Sequence, residues 1–306
     1  MKKQIVKTIT RKCLGLRKSE ELLIVCDDKL CKLAYEFYRL AQSQGIESSC
    51  FLIKPRQMHG QEPPAVVAEA LKKADAALLF TSMSLSHTKA RKIASKKYGT
   101  RIGSLPGVTL AMLNRAICLN YSNLAKKTTK LANSLTKAKK IEVYTEAGTH
   151  LTMSVKGRRG FSDNGLYIKS GAFGNLPAGE ACISPLEGTA NGQLVIDGSA
   201  PFLGKLKKSL KIKIKNGYAE NVPIAKMRPL VHLYGRKILN VAELGIGLNP
   251  KAKVTGSILE DEKSLGTAHI AFGNNKSFGG RVSCPSHLDF VFLKPTVIAD
   301  GIKIKI

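Results

Sequence analysis

Tryptophan is absent from the sequence, and all aromatic residues together make up only 6% of it. With so few aromatics, no Arg-Gly runs and no interleaving of aromatic with basic residues, there is no platform on which nucleic-acid bases would stack. Acidic residues are also scarce: 22 Asp and Glu stand against 49 Lys and Arg, a formal net charge of +27. Such a balance suits an anionic partner, a nucleic acid or a membrane surface. The lysines, however, are dispersed, and many alternate with apolar residues, as in Lys211-Ile212-Lys213-Ile214-Lys215 and Lys303-Ile304-Lys305-Ile306. Alternation describes one wetted strand face, so a basic, solvated surface is expected and nucleic acid is not the favoured partner. The seven cysteines form no Cys-x-x-Cys pair and read as reduced, buried thiols of a cytosolic protein. No apolar run approaches the ~20 residues of a membrane-spanning helix. The basic start, Met1 to Ile5, is not followed by an apolar core of signal-peptide length. A cytoplasmic protein with no membrane partner is expected. Phosphate-binding Walker loops, Gly-x-Gly-x-x-Gly fingerprints and serine nucleophile elbows are missing as well. The glycines of Gly245-Ile246-Gly247-Leu248-Asn249-Pro250 follow a strand but open no helix.

What is present suffices for two ordinary domains: 306 residues, 43% hydrophobic and 23% charged. The first part alternates short apolar runs with helical stretches. Strands are expected at Leu22 to Cys26, Ser48 to Ile53 and Ala76 to Phe80. Helices are expected from Asp27-Asp28 to about Gln44, after Pro63-Pro64, and from about Ser86 to Lys96. Repeated units of this length imply a parallel sheet with crossover helices. After a lysine-rich helix, roughly 123 to 139, strand-like runs such as Lys140 to Tyr144 and His150 to Val155 are separated by Gly, Asn and Pro turns, and another helix is expected near Ile224 to Leu239. The fold class is therefore an α/β N-terminal domain with a parallel sheet, over residues 1–138, followed by an α+β C-terminal domain carrying the site, over 139–306.

Five residues of the second part carry the chemistry. His287 and Asp289 stand two apart in an apolar strand-like run, so their side chains share a face and one ion meets both. His269 lies among small residues in Gly266-Thr267-Ala268-His269-Ile270-Ala271-Phe272-Gly273, where other groups can come close. Glu243, in Ala242-Glu243-Leu244-Gly245-Ile246-Gly247, and Glu180, after Asn175-Leu176-Pro177-Ala178-Gly179, are acids in apolar surroundings. A buried carboxylate needs a cation, and neither segment offers a neighbouring Lys or Arg. Two glutamates, two histidines and an aspartate supply ligands that Zn²⁺, Co²⁺, Mn²⁺ or Fe²⁺ accept. Bridging carboxylates would allow two ions, about 3.5–4 Å apart. His87 would fall at the C-terminal end of a parallel strand, where open α/β sheets place ligand contacts. His150 has a lesser claim, and Arg158-Arg159 could grip a carboxylate bidentately but read better as a solvated turn.

These four phrases, with His287-Leu288-Asp289 as the last, resemble the successive metal-ligand segments of the thermophilic aminopeptidase family, dinuclear peptidases that remove N-terminal residues. The likeness runs in order through the whole second domain and extends loosely to Gln61-Glu62-Pro63-Pro64 and Ser84 to Arg91 of the first. It implies Glu180, Glu243, His269, His287 and Asp289 as metal ligands, and a homodimer. The family's tyrosine seven residues after the central histidine is replaced by Lys276. A branch of the same architecture resembles dioxygenases that open dihydroxypyridine rings with a single non-haem iron, for which His269, His287 and Asp289 would form the triad. Because one iron leaves Glu180 and Glu243 without a charge partner, the two-ion reading leads. The expectation is thus a metallo-aminopeptidase with two divalent ions, Zn, Co or Mn, holding a hydroxide against a peptide substrate. Glu243 or Glu180 is the general base, and His87 is a second catalytic candidate. The alternatives are the Fe(II) ring-cleaving dioxygenase acting on a small molecule, and a basic anion- or nucleic-acid-binding protein on the same fold.

Overall fold

The computed structural model describes all residues, 1–306, and the chain divides into two compact units, 1–123 with 164–178 and 124–163 with 179–306.

The first unit is built on a five-stranded parallel sheet. Its strands are β1 (Leu22–Asp27), β2 (Ser48–Ile53), β3 (Ala76–Phe80), β4 (Arg101–Ser104) and β5 (Phe173–Asn175), in the spatial order β2-β1-β3-β4-β5. Every residue of β1 and β3 is buried, as expected for central strands covered on both faces by crossover helices. Those helices are Cys31–Gln42, Ala65–Lys73 and Lys89–Tyr98. The third begins later than the sequence suggests. The Thr88 side chain accepts a hydrogen bond from the Arg91 N–H and so fixes the start there, while Gly99 at φ 80° closes the other end. The return of residues 164–178 to this unit is explained by β5, which adds to the free edge of β4 and extends the parallel sheet.

The second unit is antiparallel. One seven-stranded sheet runs Tyr218–Ala219, Leu210–Lys215, Asn191–Ile196, His150–Ser154, Lys140–Tyr144, Thr296–Ala299, Ile302–Lys303. In Leu210–Lys215 the isoleucines are buried and all three lysines exposed, the wetted face the alternation predicts. At the C-terminus the regular pairing stops at Lys303, so the alternation in Lys303 to Ile306 does not continue as a strand. The turn at Asp300-Gly301 has φ of 47° and 82°, suited to a tight hairpin. Its Asp300 carboxylate also accepts the N–H groups of Lys139 and Lys140.

The other seven-stranded sheet carries the candidate site. Its core is β6 (Glu180–Ile183), β7 (Val241–Gly247), β8 (Thr267–Gly273) and β9 (His287–Leu293), in the order β9-β8-β7-β6, with Phe161–Asp163 beyond β6. Both β7 and β8 are buried along their whole length. The helix foreseen near 224–239 is an α-helical Met227–Tyr234 followed by a 3₁₀ turn, Gly235–Leu239. No helix of the chain is long and apolar enough to cross a membrane.

Candidate metal centre

Period-two geometry places the side chains. In the pairing of β8 with β9, Ala271 lies opposite Asp289 and Gly273 opposite His287. In the pairing with β7, His269 lies opposite Gly245 and Ala271 opposite Glu243. In that of β7 with β6, Gly245 faces Cys182 and Gly247 faces Glu180. Residues directly opposite share a face, so Glu180, Cys182, Glu243, His269, His287 and Asp289 all project from one side of four adjacent strands. The small residues among them make room. A methyl group on Gly245 would overlap the His269 ring, and one on Gly247 would strike the backbone of Glu262 and Ser264.

All five residues singled out in the sequence meet. Nε2 of His269 lies 3.4 Å from Glu243 Oε1, 3.7 Å from Glu180 Oε2 and 3.9 Å from Asp289 Oδ1. Nε2 of His287 lies 3.3 Å from both Glu243 Oε2 and Asp289 Oδ1. Ligands held about 2.0–2.2 Å from one ion stand roughly 3 to 3.5 Å apart, so the nearer of these spacings suit donors around a common point. His287 Nδ1 is 2.8 Å from the Asn274 carbonyl oxygen. A carbonyl only accepts, so Nδ1 carries a proton there and Nε2 is the nitrogen directed inward, the orientation a metal-binding imidazole needs.

The electrostatics ask for a cation. Asp163, Glu180, Glu243, Glu262 and Asp289 gather here with Lys263 the permanent cation among them. Glu180 Oε2 and His269 Nδ1 are buried without a hydrogen-bond partner, a costly arrangement unless something positive is supplied. Burial alone would raise Glu243, but hydrogen bonds from both imidazoles hold its carboxyl well below the usual range. Burial would lower His269, yet Glu243 and the surrounding carboxylates raise it to about 9. His287 is raised well above its ordinary value, against burial, by Asp289 and Glu243. Burial pushes Glu262 up to about 8. A divalent ion bound among these carboxylates would supply the positive charge that they otherwise favour on the imidazoles. An orphaned carboxylate oxygen and a nitrogen-oxygen donor set fit such an ion.

Four residues join the cluster that sequence reasoning passed over. Glu262 brings a carboxylate oxygen within 4.8 Å of the donor atoms of His269 and Asp289, as Cys182 brings its sulfur to Glu180 and Glu243. Lys263 and Asp163 complete it. Cys182 was findable, because it stands two residues from Glu180 on one strand, the argument already applied to His287 and Asp289. Glu260-Asp261-Glu262-Lys263 reads as a solvated run, yet all four residues are buried.

Of the other candidates, His87 is exposed in a turn of the first unit. His150 is exposed on the opposite sheet of its unit, its ring stacked on Tyr144. Arg158 is paired with Glu187 at 2.6 Å, and Arg159 is exposed. Lys276 is exposed in a short turn, Lys276–Phe278. That turn brings the Phe278 ring 5.4 Å from the His287 ring, with Phe161 edge-on to Phe278 at 5.6 Å, an apolar wall beside the imidazole.

Comparison with known proteins decides between the two branches. The family model of NicX, 2,5-dihydroxypyridine 5,6-dioxygenase, matches residues 44–305. Among solved structures, the chain is similar to 2,5-dihydroxypyridine dioxygenase from Pseudomonas putida KT2440, with 17% identity and a TM-score of 0.82 over 99% of this chain and 94% of that one. Wild-type AmpT from Thermus thermophilus is also similar, with 14% identity and a TM-score of 0.72 over 99% and 96%. At these identities the structures speak for the shared two-part α/β fold. No curated protein matches the sequence. The family match overturns the expectation of a hydrolase, whether called aminopeptidase, metallopeptidase or protease, in favour of an oxidoreductase. The argument that tipped the sequence reading also fails: Glu180 does have a cation, Lys263, which hydrogen-bonds to it from 83 residues away. A dioxygenase family implies a metal, and the second unit holds groups able to bind one. By a match that spans most of its length, the chain belongs to the NicX family of 2,5-dihydroxypyridine 5,6-dioxygenases.

Proposed function

We propose that the protein is a ring-cleaving dioxygenase that opens a dihydroxylated pyridine using a single non-haem iron. The observation that carries this reading is the convergence of His269 Nε2, His287 Nε2 and Asp289 Oδ1, two imidazoles and a carboxylate of the kind that leaves positions open on Fe(II). Those three residues would hold the iron, which when bound supplies the one-electron chemistry that dioxygen requires. The remaining groups belong to the protein. Glu243, held ionised between the imidazoles, fixes both rings, its Oε1 toward His269 and its Oε2 toward His287, and its carboxylate is the acceptor for a proton from a ring hydroxyl. Phe278 and Phe161 give a planar, partly apolar ring a surface to lie against and keep water from that side of His287. A homodimer in the cytoplasm is part of the same proposal.

The test is His287→Ala. The variant should fold, lose most of its iron, and fall by at least a hundredfold in oxygen uptake when supplied with 2,5-dihydroxypyridine. An iron-replete H287A enzyme with full uptake would contradict the ligand assignment.

A further inference from the structure

Three carboxylates of the second unit converge on a point beside the imidazole cluster. Glu180 Oε1 from β6, Glu262 Oε1 at 2.8 Å and Asp163 Oδ2 at 3.6 Å come from three separate segments. Oxygen donors gathered in this way are what a hard divalent cation takes. The point is filled by Nζ of Lys263, whose side chain is 1% exposed. Glu180 spans both places: Oε1 bonds the ammonium, while Oε2, buried and without a hydrogen-bond partner, faces His269 Nε2 at 3.7 Å. Gly247 makes the arrangement possible, since any side chain there would push away the 262–264 backbone that delivers Lys263.

We propose that Lys263 is a built-in cation that occupies the second cation position of the centre and limits it to one divalent ion. A second ion would have to share these carboxylates with an ammonium already in contact with them. In a buried place, where water screens little, that like-charge repulsion excludes it. Lys263 is a positioning residue: it holds Glu180 so that one oxygen faces the imidazoles, and it removes the reason for a second metal. The inference rests on the one-metal reading above.

The test is the number of Mn²⁺ ions retained per chain after metal-stripped protein is saturated and desalted, in wild type, Lys263→Ala and Lys263→Arg. Wild type and K263R should retain one ion. K263A, which frees both the space and the three carboxylates, should retain two, with its melting temperature restored by Mn²⁺. Lys263→Gln, which keeps more of the packing without the charge, carries the same expectation of a second ion should K263A not fold. A charge-free variant that still retains one ion overturns the proposal, as does wild type retaining two. Wild type retaining none contradicts the metal-centre reading itself, which keeps the two failures apart.

Discussion

Gly245 shows what a single residue contributes to this site. Its φ lies outside the left-handed region, so the requirement for glycine is steric: the His269 imidazole lies across β7 where a Cβ would stand. Gly245→Ala should displace the ring, cost about 1–3 kcal/mol through overpacking, and weaken metal affinity by roughly 10- to 100-fold. Metal titration and thermal unfolding of the metal-free variant measure the two effects. Unchanged affinity would mean that His269 is not held by this contact. At the residue scale the sequence was informative where a period-two argument applied, as for His287 and Asp289, and where an acid or histidine stood among apolar or small residues, as for Glu180, Glu243 and His269; the five do meet. It was silent where a cation arrives from a distant segment. Nothing local to Glu180 announces Lys263, and a Glu-Asp-Glu-Lys run resembles solvated surface until Gly247 is seen to admit its backbone against the strands.

Elements are anchored by polar contacts at their ends as much as by apolar faces. Arg101 opens β4 and is buried, donating to the carbonyls of Leu14 and Gly15 and pairing with Glu20 at 2.6 Å. Burial would raise Glu20, but the Arg17 N–H and the Arg101 guanidinium together lower it below 4.5. Because the folded-state value is the lower one, the pair adds stability above the unfolded-state value, and that stability is lost as pH falls through the folded-state value. Glu20→Gln should therefore cost on the order of 1 kcal/mol at pH 7, with wild type and variant converging in the acid range below 4.5. Urea midpoints at pH 7 and near pH 3 check this; a constant difference would contradict the ion-pair account. The elements most legible in the sequence were β2 and β3, found at their expected bounds, and the alternating Leu210–Lys215, whose burial matches its pattern. Helix starts were less legible, because a side-chain cap such as Thr88 and not composition sets them. Short strands such as β5 were unreadable, being three residues stabilised by the neighbour whose edge they complete.

At the scale of the whole molecule, the fold class follows from the change in texture along the chain: strand-helix units make a parallel sheet, and turn-separated strands make two antiparallel ones. The +27 charge settles largely on solvated faces such as the exposed lysines of Leu210–Lys215, while Lys263 is the cation that matters inside. Shared fold explains why ligand segments alone pointed to the wrong reaction. Chains at 17% and 14% identity share the fold over nearly their whole length, and strand-borne donors do not by themselves state how many ions they hold. The measurement that tests the account most directly is made on iron-loaded protein: iron per chain, together with oxygen and 2,5-dihydroxypyridine consumed in the same vessel. The account predicts one iron and one dioxygen taken up per ring opened, both oxygen atoms entering the product. Two ions per chain, or ring loss without matching oxygen uptake, would contradict it.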